Sequence, residues 1–183
     1  LSSGITNTKG VAIQPGTLSF YTAGITKLMY TTSDQWWGDL LEAANKAGSS
    51  ANNGISGADY LCQSDPQCPI GVTCKAIISD NKTRVACVDV DDSDDKVSAA
   101  CGPTYAKDWV ISPNTTYVNT TGVVLGVSNN EGIFNFSQGF QFDALIGGTG
   151  KNWTGLTSAW TSNKDAICDA WTKGDSGVNQ LGG

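Results

Sequence analysis

Gly54-Ile55-Ser56-Gly57-Ala58-Asp59-Tyr60-Leu61-Cys62 carries the signal that decides the fold. Ser56 stands as the cap of a short helix over residues 57–62, because a hydroxyl ahead of small and apolar residues satisfies the free amides of a first turn. Residues 48–53 before it have loop composition. Earlier still, Trp36, Trp37, Leu40, Leu41 and Ala44 recur at helical spacing, with Ser33 as N-cap, Asp34 in the first turn and Gly48 as the glycine past the end. That pattern predicts an amphipathic helix with its tryptophans in the core; on a surface the same pair would be an aromatic binding platform. Residues 27–32 read as a short strand. Residues 1–24 read as an extended arm whose runs at 11–13 and 17–21 suit an edge strand.

Downstream of the motif, alternation predicts strands at 73–78 and 84–88 with Asp80-Asn81-Lys82 as the turn between them. Further strands are expected at 108–111, 123–127 and 133–136. Beyond Gly139 the chain turns loop-like, anchored by Trp153, Trp160, Cys168 and Trp171. Two early helices followed by short strands and long loops predict an α+β fold, and not a doubly wound sheet. The expected organisation is an arm over residues 1–24 and one domain over residues 25–183.

Composition narrows the function. The 183 residues carry a net charge of −6, and the only arginine is Arg84. Too little positive charge is left to neutralise a row of phosphates, so nucleic acid is not an expected partner. There is no histidine, which removes the commonest general base and the Ser/His and Cys/His nucleophile pairs. Six cysteines in a chain rich in Gly, Ser, Thr and Asn point to an oxidising, extracellular compartment. None makes the CxxC half-site of a structural zinc. No run of the chain has the length and apolarity of a membrane span. Sequons at Asn81, Asn114, Asn119, Asn135 and Asn152 mark surface positions of a glycoprotein in a host that uses them.

The nine-residue motif resembles the GIxGADxxC segment of endostatin, a collagen-derived domain with a C-type-lectin-like fold. Residues 74–79 and 132–136 resemble later endostatin strands, and Trp153-Thr154-Gly155 and Cys168-Asp169-Ala170-Trp171 resemble its W-x-G and C-x-x-W anchors. The order of motifs is closer still to bacterial endostatin-like surface proteins, those of leptospires among them. Their R-x-A-C turn is matched by Arg84-Val85-Ala86-Cys87, their D-W-V by Asp108-Trp109-Val110, and their P-N-T-x-Y by residues 113–117. The resemblance covers residues 27 to 177. It implies two short helices on a small, mainly antiparallel sheet with long loops, and an adhesion-type domain that binds matrix or serum components. Family members carry two more cysteines on a closing hairpin after the C-x-x-W anchor, and this sequence ends without them. Either the closing strand lies beyond the sequence, or the arm takes its place and Cys62 pairs with Cys168. In the second case the preferred pairing is Cys68–Cys74, Cys87–Cys101 and Cys62–Cys168, one among the connectivities that six cysteines permit. A third reading leaves an open edge beside residues 28–32 to receive a strand from a neighbouring copy.

Two constellations could bind. Asp89, Asp91, Ser93 and Asp95 repeat the first spacings of a calcium loop, although position 6 is Asp94 in place of glycine and position 12 is Ala100 in place of glutamate. Tyr117, Phe140, Phe142, Trp153 and Trp160 on the long-loop half are candidate aromatic anchors for a macromolecule, each with a core reading beside it. No pair of carboxylates stands out for acid–base work, and no cofactor beyond calcium is indicated. The expectation is therefore a secreted or cell-surface, non-catalytic adhesion domain that binds an extracellular protein or matrix component. The alternative is a subunit of an extracellular filament, appendage or surface layer, with copies of itself as partners.

Overall fold

The structure, a computed structural model, describes residues 26–90, 99–136, 140 and 154–174. The N-terminal arm lies outside the described residues. The elements in chain order are β1 (Thr26–Leu28), α1 (Leu40–Lys46), α2 (Gly54–Ser64), β2 (Val88–Asp89), β3 (Ala99–Ala100), β4 (Thr116–Val118) and β5 (Val124–Val127), followed by a short 3-10 turn at Lys164–Ala166. This is a small α+β domain with two helices and two small sheets. One sheet has the order β1-β4-β5 and the other pairs β2 with β3.

The three-stranded sheet is mixed and the two-stranded one is antiparallel, so two of the three strand pairings are antiparallel. β1 runs parallel to β4, with Lys27 opposite Tyr117, whereas β4 and β5 form an antiparallel hairpin. Both helices and the β2–β3 pair lie in the chain between β1 and β4. A crossover of that length is what parallel neighbours require.

α2 is longer than the sequence predicts. Asn53 is the N-cap and accepts from the Ser56 amide at 2.9 Å, while Ser56 closes a capping box from the third helical position. Its glycines set what packs on it. A Cβ at Gly57 would lie 2.6 Å from the Leu40 carbonyl oxygen, and one at Gly54 would lie 2.2 Å from the Ala170 oxygen. The first glycine of the motif thus admits the Cys168–Trp171 turn, and the second admits α1.

α1 is a correction. It begins at Leu40 with Asp39 as N-cap, so Trp36 and Trp37 precede the helix. Ser33 caps no helix: its hydroxyl donates to Asp65 Oδ1 at 3.3 Å and its amide to Asp65 Oδ2 at 2.6 Å. Asp39 accepts from the Glu42 amide at 2.7 Å. The helix ends as expected, with Ala47 as C-cap and Gly48 at φ +93.

Residues 73–78 form no ladder, for a reason that runs through α2. Asp59 Oδ1 accepts from the Ala76 amide at 2.9 Å, and Gln63 Oε1 accepts from the Cys74 amide at 3.0 Å. Four residues of helix advance about 6 Å, and two residues of extended chain advance about 6.6 Å. One helix face therefore supplies the acceptors that a neighbouring strand would otherwise provide. The expected strand over 84–88 reduces to single bridges, Val85 to Lys107 and Cys87 to Thr161, followed by β2. Asp108, at φ 43, breaks the expected strand at 108–111. Residues 133–136 also join no ladder.

Two buried clusters result. The larger gathers Met29, Cys87, Tyr117, Leu125, Phe134 and Trp160 with their neighbours, and the smaller gathers Ile55, Ala58, Ala76, Ile78 and Trp171. Disulfides join Cys68 to Cys74 and Cys87 to Cys101. The second holds β2 beside β3, and a loop of its size stabilises by roughly 3 kcal/mol. The expected third bridge is absent. Cys62 and Cys168 are half-buried thiols, both packed against the smaller cluster.

Candidate functional site

The ionisable residues of the motifs converge on Arg84, whose side chain has 0% exposure. Its Nη1 and Nη2 donate to the two oxygens of Asp59 at 2.8 Å each. Nη2 also reaches Asp108 Oδ2 at 2.5 Å, Nε reaches the Asp108 carbonyl at 3.0 Å, and Nη1 reaches the Ala76 carbonyl at 2.8 Å. All five donors of the guanidinium are engaged. Lys75 closes the cluster on Asp108 Oδ1 at 2.9 Å. Burial works against the charged guanidinium, but the hydrogen bonds and charges of Asp59 and Asp108 outweigh it and raise its pKa. Burial alone would likewise raise the Asp108 carboxyl, yet Lys75 and Arg84 hold it below its ordinary value. Asp59 of the G-A-D helix, Arg84 of R-V-A-C and Asp108 of D-W-V are thus one ionic joint around a buried guanidinium.

Burial pushes the Cys62 thiol up to about 12, and the carboxylates of Asp59 and Asp65 add to the effect. Tyr30, whose hydroxyl donates to the Cys62 carbonyl at 2.8 Å, is also raised to about 12. A thiolate is the reacting form. Cys62 in the folded protein should therefore resist iodoacetamide at pH 8 and alkylate readily once the chain is unfolded. Mass spectrometry of the Cys62 peptide checks this, and rapid native labelling would refute it.

The candidate aromatic anchors divide. Tyr117 and Trp160 are corrections: they are 4% and 7% exposed and belong to the larger core cluster. The Tyr117 hydroxyl accepts from the Ser112 amide at 2.8 Å, and Trp160 Nε1 donates to the Phe134 carbonyl at 2.9 Å, so their polar atoms are tied inward too. Phe140 packs half-buried against that cluster. It lines a depression of about 330 Å³ with Gly126, Val127, Phe134 and Asn135. Phe136, more exposed, stacks on Trp160 at 4.9 Å between ring centroids. Phe142 and Trp153 lie outside the described residues.

Asp89 is exposed at the end of β2. Asp91, Ser93 and Asp95 lie outside the described residues, as does Asn152. Among the described residues no group of three or more potential metal-ligating side chains stands together. Of the sequons, Asn81, Asn114 and Asn135 are exposed. Asn119 is half-buried, and its Oδ1 accepts from the Thr121 and Val123 amides.

The surface that helical periodicity conceals is the one before α1. Trp37 is 86% exposed and Trp36 39%. Trp37 lies two residues before Asp39, which lines a shallow groove of about 460 Å³ with Leu41, Glu42, Asn45, Lys46 and Thr172. The backbone beneath it is pinned. Gly38 is packed so tightly that an added Cβ would meet the Lys173 carbonyl at 3.0 Å, and Asp39 bridges to Thr172. Asp39-x-x-Glu42, a cap with an acidic third residue, was the sequence signal that the helix starts after the tryptophans.

The architecture and its side-chain bonding define a small α+β domain, stapled by two disulfides and joined at an ion cluster around the buried Arg84, with an exposed tryptophan on a braced loop. The family model for proteins of unknown function designated DUF1554 matches residues 44–183, and the chain belongs to that family. No curated protein and no solved structure matches the chain. The disulfides are consistent with an extracellular protein, and no helix among the described residues is long and apolar enough to cross a membrane.

Proposed function

We propose that this chain is a secreted or cell-surface binding domain, non-catalytic and of endostatin-like, C-type-lectin-like architecture, that recognises an extracellular protein or matrix component. The observation that carries the reading is Trp37, an indole 86% exposed, two residues along the chain from Asp39 of a groove with both donors and acceptors. Large aromatic side chains held on a fixed backbone are the usual anchors of protein recognition. Folding alone does not account for leaving such a side chain in water, since its burial would be favourable. The resemblance to bacterial endostatin-like surface proteins supplies the partner class. The Asp59–Arg84–Asp108 cluster supports the scaffold part of the reading, because it gives the resembling motifs one shared structural role.

Surface plasmon resonance of the oxidised chain against matrix proteins and serum glycoproteins tests this. At least one should bind, and Trp37→Ala should weaken it by about 2 kcal/mol, roughly 30-fold. Trp37 touches no core cluster, so the variant should melt like the parent. Absence of binding across the panel, or binding indifferent to Trp37→Ala, would overturn the reading.

A further inference from the structure

Between Lys27 and Lys46 every charged side chain is acidic: Asp34, Asp39 and Glu42. Trp36 and Trp37 stand among them, 39% and 86% exposed, in a run from Ser33 to Trp37 that is exposed throughout. The run is fixed at both ends. Asp65 holds Ser33 by its amide and hydroxyl, and Asp39 bridges to Thr172. The lysines beside it are already engaged. Lys46 is paired with Glu42 at 2.6 Å, and Lys173, whose carbonyl packs on Gly38, is paired with Asp169 at 2.8 Å. Asp34 and Asp39 enter no ion pair among the described residues, and the one oxygen that Asp39 gives to the Glu42 amide leaves its charge uncompensated.

We propose that this stretch docks an arginine-bearing basic segment of another protein, with a guanidinium stacked on the Trp37 indole and neighbouring basic groups set against Asp34 and Asp39. The inference rests on the reading of Trp37 as an anchor and names what the anchor grips. Among side chains an indole holds a cation best over its face, and arginine is the cation found there more often. Its planar fork also matches a carboxylate, which lysine meets only as a point charge. Trp37 is three residues from Asp34 and two from Asp39, at most about 11 Å and about 7 Å of chain. Basic side chains at neighbouring or alternate positions of one extended peptide therefore reach the ring and a carboxylate together. Charge selects the occupant. A polyanion would meet three carboxylates on a molecule of net charge −6. A second copy brings the same net charge, and its only arginine is buried against Asp59 and Asp108. An apolar partner would leave Asp34 and Asp39 covered and unpaired. A basic segment gains from the indole and from the carboxylates alike.

Anisotropy of a fluorescent hexaarginine peptide, titrated with the oxidised chain at about 0.05 M salt, tests this. The peptide should bind with Kd below about 300 µM, and hexaglutamate should not bind. Trp37→Ala should weaken binding about threefold to fivefold. Asp34→Asn and Asp39→Asn together should weaken it about fivefold; asparagine also caps helices, so the start of α1 is kept while its charge is removed. Hexalysine should bind at least about twofold more weakly than hexaarginine. Failure of hexaarginine to bind would overturn the proposal, as would hexalysine binding equally well. Binding that either Trp37→Ala or the double variant leaves unchanged would overturn it too, by placing the peptide on another acidic stretch such as residues 89–95. The anchor reading fails separately. A matrix protein whose binding needs Trp37 but ignores both aspartates keeps the anchor and removes the basic partner. Hexaarginine bound at Trp37, with no matrix protein bound, keeps this inference and removes the matrix partner.

Discussion

Replacing Arg84 with methionine lowers the free energy of unfolding by about 3–5 kcal/mol, the usual cost of breaking a buried ion pair by removing one partner. The side chain has 0% exposure, and its partner Asp59 is only 23% exposed. Without the guanidinium, Asp59 keeps a charge in a poorly solvated place, and the Ala76 carbonyl loses its 2.8 Å donor. A small domain has roughly 5–15 kcal/mol in all, so the variant is expected to populate unfolded forms under mild denaturant. Asp108→Asn should cost far less, about 1 kcal/mol, because that carboxylate is 42% exposed and solvent screens its share. Denaturant melts of the two variants separate the contributions. The joint also fixes a pH sign. The folded-state pKa of Asp108 is held below its ordinary value by Lys75 and Arg84. Its contribution is then present above the unfolded carboxylate value of about 3.9 and is lost as pH falls through the depressed folded value. Arg84→Met should flatten that acid limb. Near-parental stability for Arg84→Met at neutral pH would show that the cluster is not the joint between α2 and the rest of the domain.

Much of this joint was legible as residue types and almost none of it as pairing. The motif Gly54–Cys62 announced a helix with small faces, and the only arginine stood out in a chain of 17 acidic residues. Which carboxylates it would meet depends on α2 lying along residues 74–76, a tertiary fact. That same packing explains why alternation at 73–78 predicted a strand that forms no ladder. The pattern reports an extended, half-buried chain, and the helix side chains Asp59 and Gln63 supply the hydrogen bonds. Trp36 and Trp37 misled for the opposite reason. Helical spacing says nothing of where a helix begins, and the cap at Asp39 moved both residues outside it. Tyr117 and Trp160 had a core and a surface reading, and their burial in the larger cluster, with inward hydrogen bonds to Ser112 and Phe134, decides between them.

Trp171→Ala should cost about 3–5 kcal/mol, the range for emptying a buried tryptophan site, and its effect should extend beyond the cavity. Trp171 is 2% exposed, and its indole donates to the Ser79 carbonyl at 2.8 Å. It ends four consecutive residues with left-handed backbone, Cys168 at φ 45, Asp169 at 50, Ala170 at 57 and Trp171 at 64. For residues other than glycine that conformation costs roughly 1–2 kcal/mol each. Local preference cannot hold such a turn; the indole, seated between α2 and Gly155, does. An added Cβ at Gly155 would lie 2.9 Å from the Trp171 ring, and one at Gly54 would lie 2.5 Å from the Trp171 Cβ, so the glycines of two separate motifs are the walls of this seat. Removing the ring should therefore release residues 168–172 as well as leave a hole. Amide hydrogen exchange should show it as lost protection at Trp171 and Thr172, whose amides donate to Ile167 and Cys168. Trp171→Phe keeps most of the apolar fill but not the bond to Ser79, and should fall between parent and alanine variant. Unchanged exchange at Thr172 in Trp171→Ala would mean that the turn is held by its own backbone bonds and that the anchor reading of Cys168-Asp169-Ala170-Trp171 is mistaken.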